Sequence, residues 1–250
     1  MKFSLIIAGL FMIPALLSGQ DAREIVRRYL DKVSNGNIEN WKKIKSTYTE
    51  SEGYYSQNDF DQKVNLLKPD KSTFSKTYTV WPQQKIEGYA DSTFLNLISQ
   101  FYFLKDQTII IIGNIPPIIK PAPPRNEFVD EFMPVMVWKL LNKSKSIELA
   151  GIRDFPTDGV SCFEIRIRST TMNCSLYINT ETFLLDFSNQ REDGDLSFLV
   201  KYDNYQKIGE YLMPMSELNM HNGVVFHWVN KRKVELNVEI DPEKFKYQTN

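Results

Sequence analysis

Two histidines, two cysteines and 31 scattered carboxylates are the residues of this chain whose types could do chemistry. His221 and His227 flank Asn222-Gly223, a dipeptide that favours a two-residue hairpin turn. With that turn, His221 pairs with Val224 and His227 lies opposite Leu218. The rings are then about three residue pairs apart, too far to share a metal. Cys162 and Cys174 sit in neighbouring alternating runs, Cys-Phe-Glu-Ile-Arg-Ile-Arg from Cys162 and Cys-Ser-Leu-Tyr-Ile from Cys174. If both apolar rows face one side, Cys174 points in and Cys162 points out, and side chains on opposite faces do not bond. Glu164, Arg166 and Arg168 then read as a solvated face. The chain has no HExxH, CxxC, GxSxG or phosphate-loop pattern. Asp193-Gly194-Asp195 reads as a turn, because no series of calcium ligands follows it. No catalytic, metal-binding or cofactor-binding residue is expected. Asn142 and Asn173 match the glycosylation sequon, as a few asparagines do by chance.

What the chain carries instead is an export signal. Lys2 precedes an apolar run from Leu5 to Leu17, shorter than the ~20 residues of a membrane-spanning helix. Ser18, Gly19 and Gln20 follow. This is the pattern of a secretory signal peptide over residues 1–19, with a mature start at Gln20 or Asp21 and no cysteine for lipid attachment. The expected location is the periplasm. Net charge is -1, which leaves no basic excess to neutralise phosphates, so nucleic acid is not an expected partner. Aromatics make up 13% of the chain, with 12 Tyr and 16 Phe, and together with Thr, Val and Ile they favour strands.

The elements follow from spacing. Asp21–Ser34 is an amphipathic helix, with Ile25, Tyr29 and Val33 four apart, Asp21 as its cap and Asn35-Gly36 as its end. Strands follow over 45–56, 60–67 and 72–81. Later hairpin turns are expected at Asn179–Thr182, Asp193-Gly194 and Asn222-Gly223, with a long strand over 224–240. About ten strands joined by short turns make an antiparallel meander. Residues 114–125 hold five of the twelve prolines and exclude an interior strand or a helix. Asn126 can cap a helical insert, which Pro134 restarts. Residues 135–141 are apolar on nearly every side, as in a covered helix. Thr108–Ile112 is apolar on both faces, which calls for a layer on each. The expected fold is mainly β (α+β): a curved antiparallel sheet forming a half-open barrel, an N-terminal helix, and a helical lid insert reached by a Pro-rich crossover at about 114–143. Residues 20–250 read as a single domain.

With this order of elements, the chain resembles the outer-membrane lipoprotein carrier (LolA/LolB-like) superfamily, in its divergent lipoprotein-sorting form. The resemblance rests on the opening AREIVRRYLDKVSNGNIENWKKIKSTYTESEGYY, the Pro-rich crossover with its helix, and the closing KYDNYQKIGEYLMPMSELNM and VNKRKVELNVEIDPEKFKY. In the closing part, Tyr202, Tyr205, Pro214, Asn237, Ile240, Asp241, Pro242 and Phe245 fall where such sequences place their last strands and end motif. The resemblance implies an unclosed barrel with helices as a lid over a hydrophobic cavity for acyl chains. It implies as partners an acyl chain or the lipid moiety of a lipoprotein, an envelope protein, and peripheral contact with a membrane. Carriers of this kind use an arginine to control opening; Arg125 lies at the edge of the insert but matches by position alone. The expected cavity liners are Val80, Phe101, Phe103, Ile110 and Ile112 from strands and Phe132, Met136 and Leu140 from the lid. Two further readings stand beside this one: an envelope interaction domain with a filled core, and an exported enzyme.

Overall fold

The computed structural model describes residues 21–55, 73–80, 83–121, 133–169, 173–189 and 198–247. The expected signal peptide, the expected 60–67 strand and Asp193-Gly194 turn, Asn126, Arg125 and Phe132 lie outside the described residues. The first helix, α1 (Ala22–Val33), forms as its spacing predicts. The Asp21 side chain accepts from the Arg23 amide at 2.9 Å, and the Ser34 amide closes the last turn on the Leu30 carbonyl. Asn35 and Gly36 then reverse the chain at φ 53° and 77°, the left-handed conformation that Gly and Asn tolerate best. A 3-10 turn, Ile38–Lys43, follows. It buries Trp41 against Tyr211, with ring centroids 4.6 Å apart, and the Asn40 carbonyl accepts from the Tyr211 hydroxyl.

The strands are β1 (Ser46–Tyr55), β2 (Thr73–Val80), β3 (Gln83–Tyr89), β4 (Leu97–Phe103), β5 (Gln107–Ile112) and β6 (Ile118–Pro121), then β7 (Ser146–Phe155), β8 (Val160–Arg168), β9 (Asn173–Asn179), β10 (Leu185–Asn189), β11 (Phe198–Ile208), β12 (Tyr211–His221) and β13 (Val224–Leu236). All belong to one antiparallel sheet in the order β6-β5-β4-β3-β2-β1-β13-β12-β11-β10-β9-β8-β7, with the first strand paired to the last. The two outermost strands, β6 and β7, do not meet, so the sheet is not closed. Between them in sequence stands α2 (Met133–Lys143), with Pro134 in its first turn, where a proline costs no hydrogen bond. Among the described residues thirteen strands replace the ten expected. One extra strand is β6, inside the Pro-rich run. Pro121 pairs there with Gln107 at the sheet edge, the one place where a missing amide donor is harmless.

The two helices pack on one face of the β7–β13 half. Ile25, Val26, Tyr29, Leu30 and Val33 of α1 and Met136, Val137, Leu140 and Leu141 of α2 meet Phe163, Ile165 and Ile167 of β8, Leu176 and Ile178 of β9, and Met213 and Met215 of β12 in one buried cluster. The opposite face of that half carries a smaller cluster of Cys162, Tyr177, Phe187 and Leu199, with Phe155 stacked on Phe187 at 4.1 Å. Both cysteines are free and buried on opposite faces, as the alternation requires. The Glu164 face is not simply solvated. The Glu164 side chain is 5% exposed and bonds Arg153 at 2.9 Å and Arg166 at 2.8 Å. A buried carboxylate needs such partners, and they hold its carboxyl below the ordinary range even though burial alone would raise it.

Leu30 is fully buried where α1 meets the sheet. Leu30→Ala is expected to cost about 2–5 kcal/mol of stability. Urea unfolding should show a lower midpoint with little change in slope.

Candidate functional site

Strand register fixes which side chains share the helix-bearing face. Val234 lies in the helical core and pairs with Thr49, so Thr47, Thr49, Ser51 and Gly53 of β1 look the same way. Stepping across the pairs carries this face to Thr73, Ser75, Thr77 and Thr79 of β2, then Gln84, Ile86 and Gly88 of β3. It continues to Ser99, Phe101 and Phe103 of β4, Thr108, Ile110 and Ile112 of β5, and Ile118 and Lys120 of β6. Strands β1 and β2 thus present small and hydroxyl-bearing residues, β3 a mixed row, and β4–β6 large apolar ones with Ser99, Thr108 and Lys120 among them.

Four of the expected liners, Phe101, Phe103, Ile110 and Ile112, therefore stand together as a wall on the helix-bearing face. Val80 does not join them. It pairs with Ser46 and Gln83 in the row that also holds Phe74, Lys76 and Tyr78, on the opposite face. That outer face has its own cover, the segment with the 3-10 turn Pro242–Phe245. Phe245 is buried, Lys244 lies 4.9 Å from the Tyr78 ring, and Tyr247 meets Tyr102 edge-on. Beneath this strap Glu87 pairs with Lys85 at 2.8 Å and accepts from the Tyr89 hydroxyl at 2.7 Å. Met136 and Leu140 sit in the packed core beside α1 rather than against the wall.

Thr108–Ile112 is not sealed on both sides among the described residues. Ile109, on the outer row, is fully buried, whereas Ile112 is 47% exposed. The β4–β6 end of the sheet carries further exposed apolar side chains: Leu95, Leu97, Ile98, Ile115 and Ile119. The turns that carry Leu95 and Ile115 lie at the same end.

Between the wall and the helical core runs a polar strip that the sequence reading missed. Tyr211, Met213 and Met215 begin the helix-bearing row of β12 as apolar residues, and Glu217, Asn219 and His221 continue it as polar ones. That change of character within one alternating row was the available signal. Lys231 forms an ion pair with Glu217 and donates to the Pro214 carbonyl at 3.2 Å. Asn219 Nδ2 lies 3.3 Å from His227 Nδ1. The His227 ring passes over Gly53: a Cβ there would lie 3.9 Å from His227 Nε2, equally far from Thr73 Oγ1, and only 3.2 Å from the Trp228 carbonyl oxygen. His227 faces Asn219, not Leu218, because a bulge between Asn219 and Met220 shifts the pairing by one residue; His221 pairs with Val224 as the turn predicts. Burial pulls the His227 pKa below its ordinary value, and the Glu217 carboxylate only partly opposes that. Among the described residues no three His, Cys, Asp or Glu side chains come together to hold a metal, and no helix is long and apolar enough to cross a membrane.

No family model matches the chain, and no curated protein matches it. Solved structures do. The chain is similar to a DUF1329 family protein from Desulfovibrio piger, with a TM-score of 0.54 at 11% identity over 90% of this chain and 96% of that one. It is similar to a putative outer membrane lipoprotein-sorting protein domain from Vibrio parahaemolyticus, with a TM-score of 0.53 at 12% identity over 90% and 97%. A LolA superfamily protein from Nitrosomonas europaea gives a TM-score of 0.50 at 9% identity over 92% and 99%. The likeness runs over nearly the full length of each chain and establishes a LolA-like fold, in agreement with the resemblance read from the sequence.

The depressed His227 pKa gives a signed expectation. Above about pH 6.5 the ring is neutral in both folded and unfolded chains and costs nothing. As pH falls through that value toward the lower folded pKa, the unfolded chain takes up the proton first, and stability is lost. Urea midpoints from pH 7.5 to 5 should fall less steeply in His227→Gln than in the parent. Equal slopes would remove His227 as the source.

Proposed function

We propose that the protein is an exported lipid- or lipoprotein-binding protein that holds acyl chains on the helix-bearing face of its sheet. In this reading residues 20–250 form one half-barrel domain released into the periplasm after residues 1–19 are removed. The observation that carries it is the wall of Phe101, Phe103, Ile110 and Ile112, which stands on the same face as the helices yet leaves Ile112 47% exposed. Burial of an acyl chain gains ~0.8 kcal/mol per CH₂, so an apolar wall supplies affinity without specific polar contacts. The LolA-like fold supports the reading, and so does the lipoprotein-sorting domain among the similar structures. The protein acts as a binder or carrier rather than an enzyme and needs no cofactor. Its partners are an acyl chain or the lipid moiety of a lipoprotein, an envelope protein that gives or takes the cargo, and a membrane surface touched peripherally.

A second reading has one observation in its favour. Met136 and Leu140, expected as lid residues, are packed into the core. On that reading the domain has a filled interior and serves interactions in the envelope.

Native mass spectrometry of protein purified from a Gram-negative periplasm, followed by solvent extraction, separates the two. A co-purifying fatty acid, phospholipid or acylated peptide is the expected result. Ile112→Asp should fold normally, because the site is half open, and should lose at least about tenfold in uptake of a fluorescent fatty acid, the effect of ~1.4 kcal/mol. A bare mass together with no uptake by the parent protein would favour the filled core.

A further inference from the structure

The wall accounts for acyl chains but not for the polar strip beside it, and the strip has a definite chemical character. Glu217 and Lys231 cancel each other in charge and are each only partly exposed. Burial keeps His227 neutral at neutral pH, and His221 ends the row of Glu217 and Asn219 at the hairpin turn. Asn219 is uncharged, and so is Thr73, which borders the strip from β2. The strip therefore offers donors at Lys231 Nζ and Asn219 Nδ2 and acceptors at the Glu217 carboxylate, with Thr73 Oγ1 at its border, and the charges of its ion pair balance. Arg232 and Lys233 do not alter this balance. They lie near Phe74 and Tyr48, whose rows belong to the outer face.

Its place on the sheet matters as much. The wall on β4–β5 and the strip on β12–β13 are separated by β1, β2 and β3. From β13 to β4 the separation is about 19 Å by the usual strand spacing, comparable to a long acyl chain. Most residues between them on this face are short: Thr49, Ser51 and Gly53 of β1, Ser75 and Thr77 of β2 and Gly88 of β3, while Ile86 of β3 adds an apolar step beside Phe101. A chain laid across these strands has its apolar end at Phe101 and Ile110 and its polar end at Glu217 and Lys231.

We infer that the Glu217–Lys231–Asn219–His227 strip is the subsite for the uncharged polar linkage of an acylated ligand, such as a glyceryl ester or an amide. The inference rests on the acyl-chain reading above and goes further by naming the class of head group. An ester or amide carbonyl accepts from Lys231 or Asn219, and a hydroxyl or amide N–H donates to Glu217. A carboxylate in the same place meets the Glu217 charge across a partly desolvated surface and leaves Lys231 shared between two anions, which costs affinity.

The test compares two probes with the same chain, 1-oleoylglycerol and oleate, at pH 8 by displacement of a fluorescent acyl reporter. The parent protein is expected to prefer 1-oleoylglycerol by about tenfold or more, and Glu217→Gln to reduce that preference severalfold by freeing Lys231 for the carboxylate. Asn219→Ala, which leaves the ion pair in place, should weaken 1-oleoylglycerol more than oleate. Circular dichroism and urea midpoints show whether each variant is folded. Equal affinity for the two probes in the parent, or a preference unchanged in both folded variants, overturns the subsite while acyl binding stands. Failure of the parent to bind either probe overturns the acyl-chain reading and the subsite with it.

Discussion

The pairing of β1 with β13 is the constraint on which the rest of this structure depends. Strands β1 to β6 step outward from it on one side, and β12 back to β7 step outward on the other. Nine residues of β1 find partners on β13, so residues nearly two hundred positions apart are bound into one ladder. Asn237 extends the join: its amide donates to the Ser46 carbonyl, and its side chain accepts from the Lys45 amide. The seam also carries function on the proposed reading, because Gly53 and His227 meet across it. Such a long-range contact contributes only after most of the chain is ordered.

The two halves of the sheet are stabilised differently. The β7–β13 half is covered on its inner face by α1 and α2 and has a second cluster outside. Strands β1 and β2 place their large residues outward, toward the C-terminal strap, and their small ones inward, whereas β4 and β5 carry large residues on both faces. The strap therefore does for β1–β4 what the helices do for β8–β12, but from the other side. Among the described residues, the packing of β1 and β2 thus comes chiefly from their outer face.

It also explains what could and could not be read from the sequence. The first helix was legible because its apolar spacing, cap and Asn-Gly stop all agree, and the Asn222-Gly223 hairpin because its two residues carry a conformation few others accept. The faces of β2 were not legible. Alternation says that Phe74, Tyr78 and Val80 belong together, but not which side is inside, and the bulky row normally points to the main core. Here the bulky row faces a strap formed by residues more than 160 positions later, so Val80 left the predicted site while Phe101, Phe103, Ile110 and Ile112 stayed together. His227 was misplaced by one residue because a bulge leaves no mark in composition. Glu217 and Lys231 were passed over because an ion pair across neighbouring strands has no spacing to betray it.

The unjoined strands β6 and β7 have a mechanical consequence. A closed barrel fixes its bore through its strand number and stagger, and any change of width breaks backbone bonds. A ribbon whose two outermost described strands do not pair can coil more tightly or more loosely by sharing small changes of twist among the ladders between its described strands, with every ladder kept intact. The curvature of the inner face is then a property of the whole ribbon, adjustable to the thickness of what lies against it.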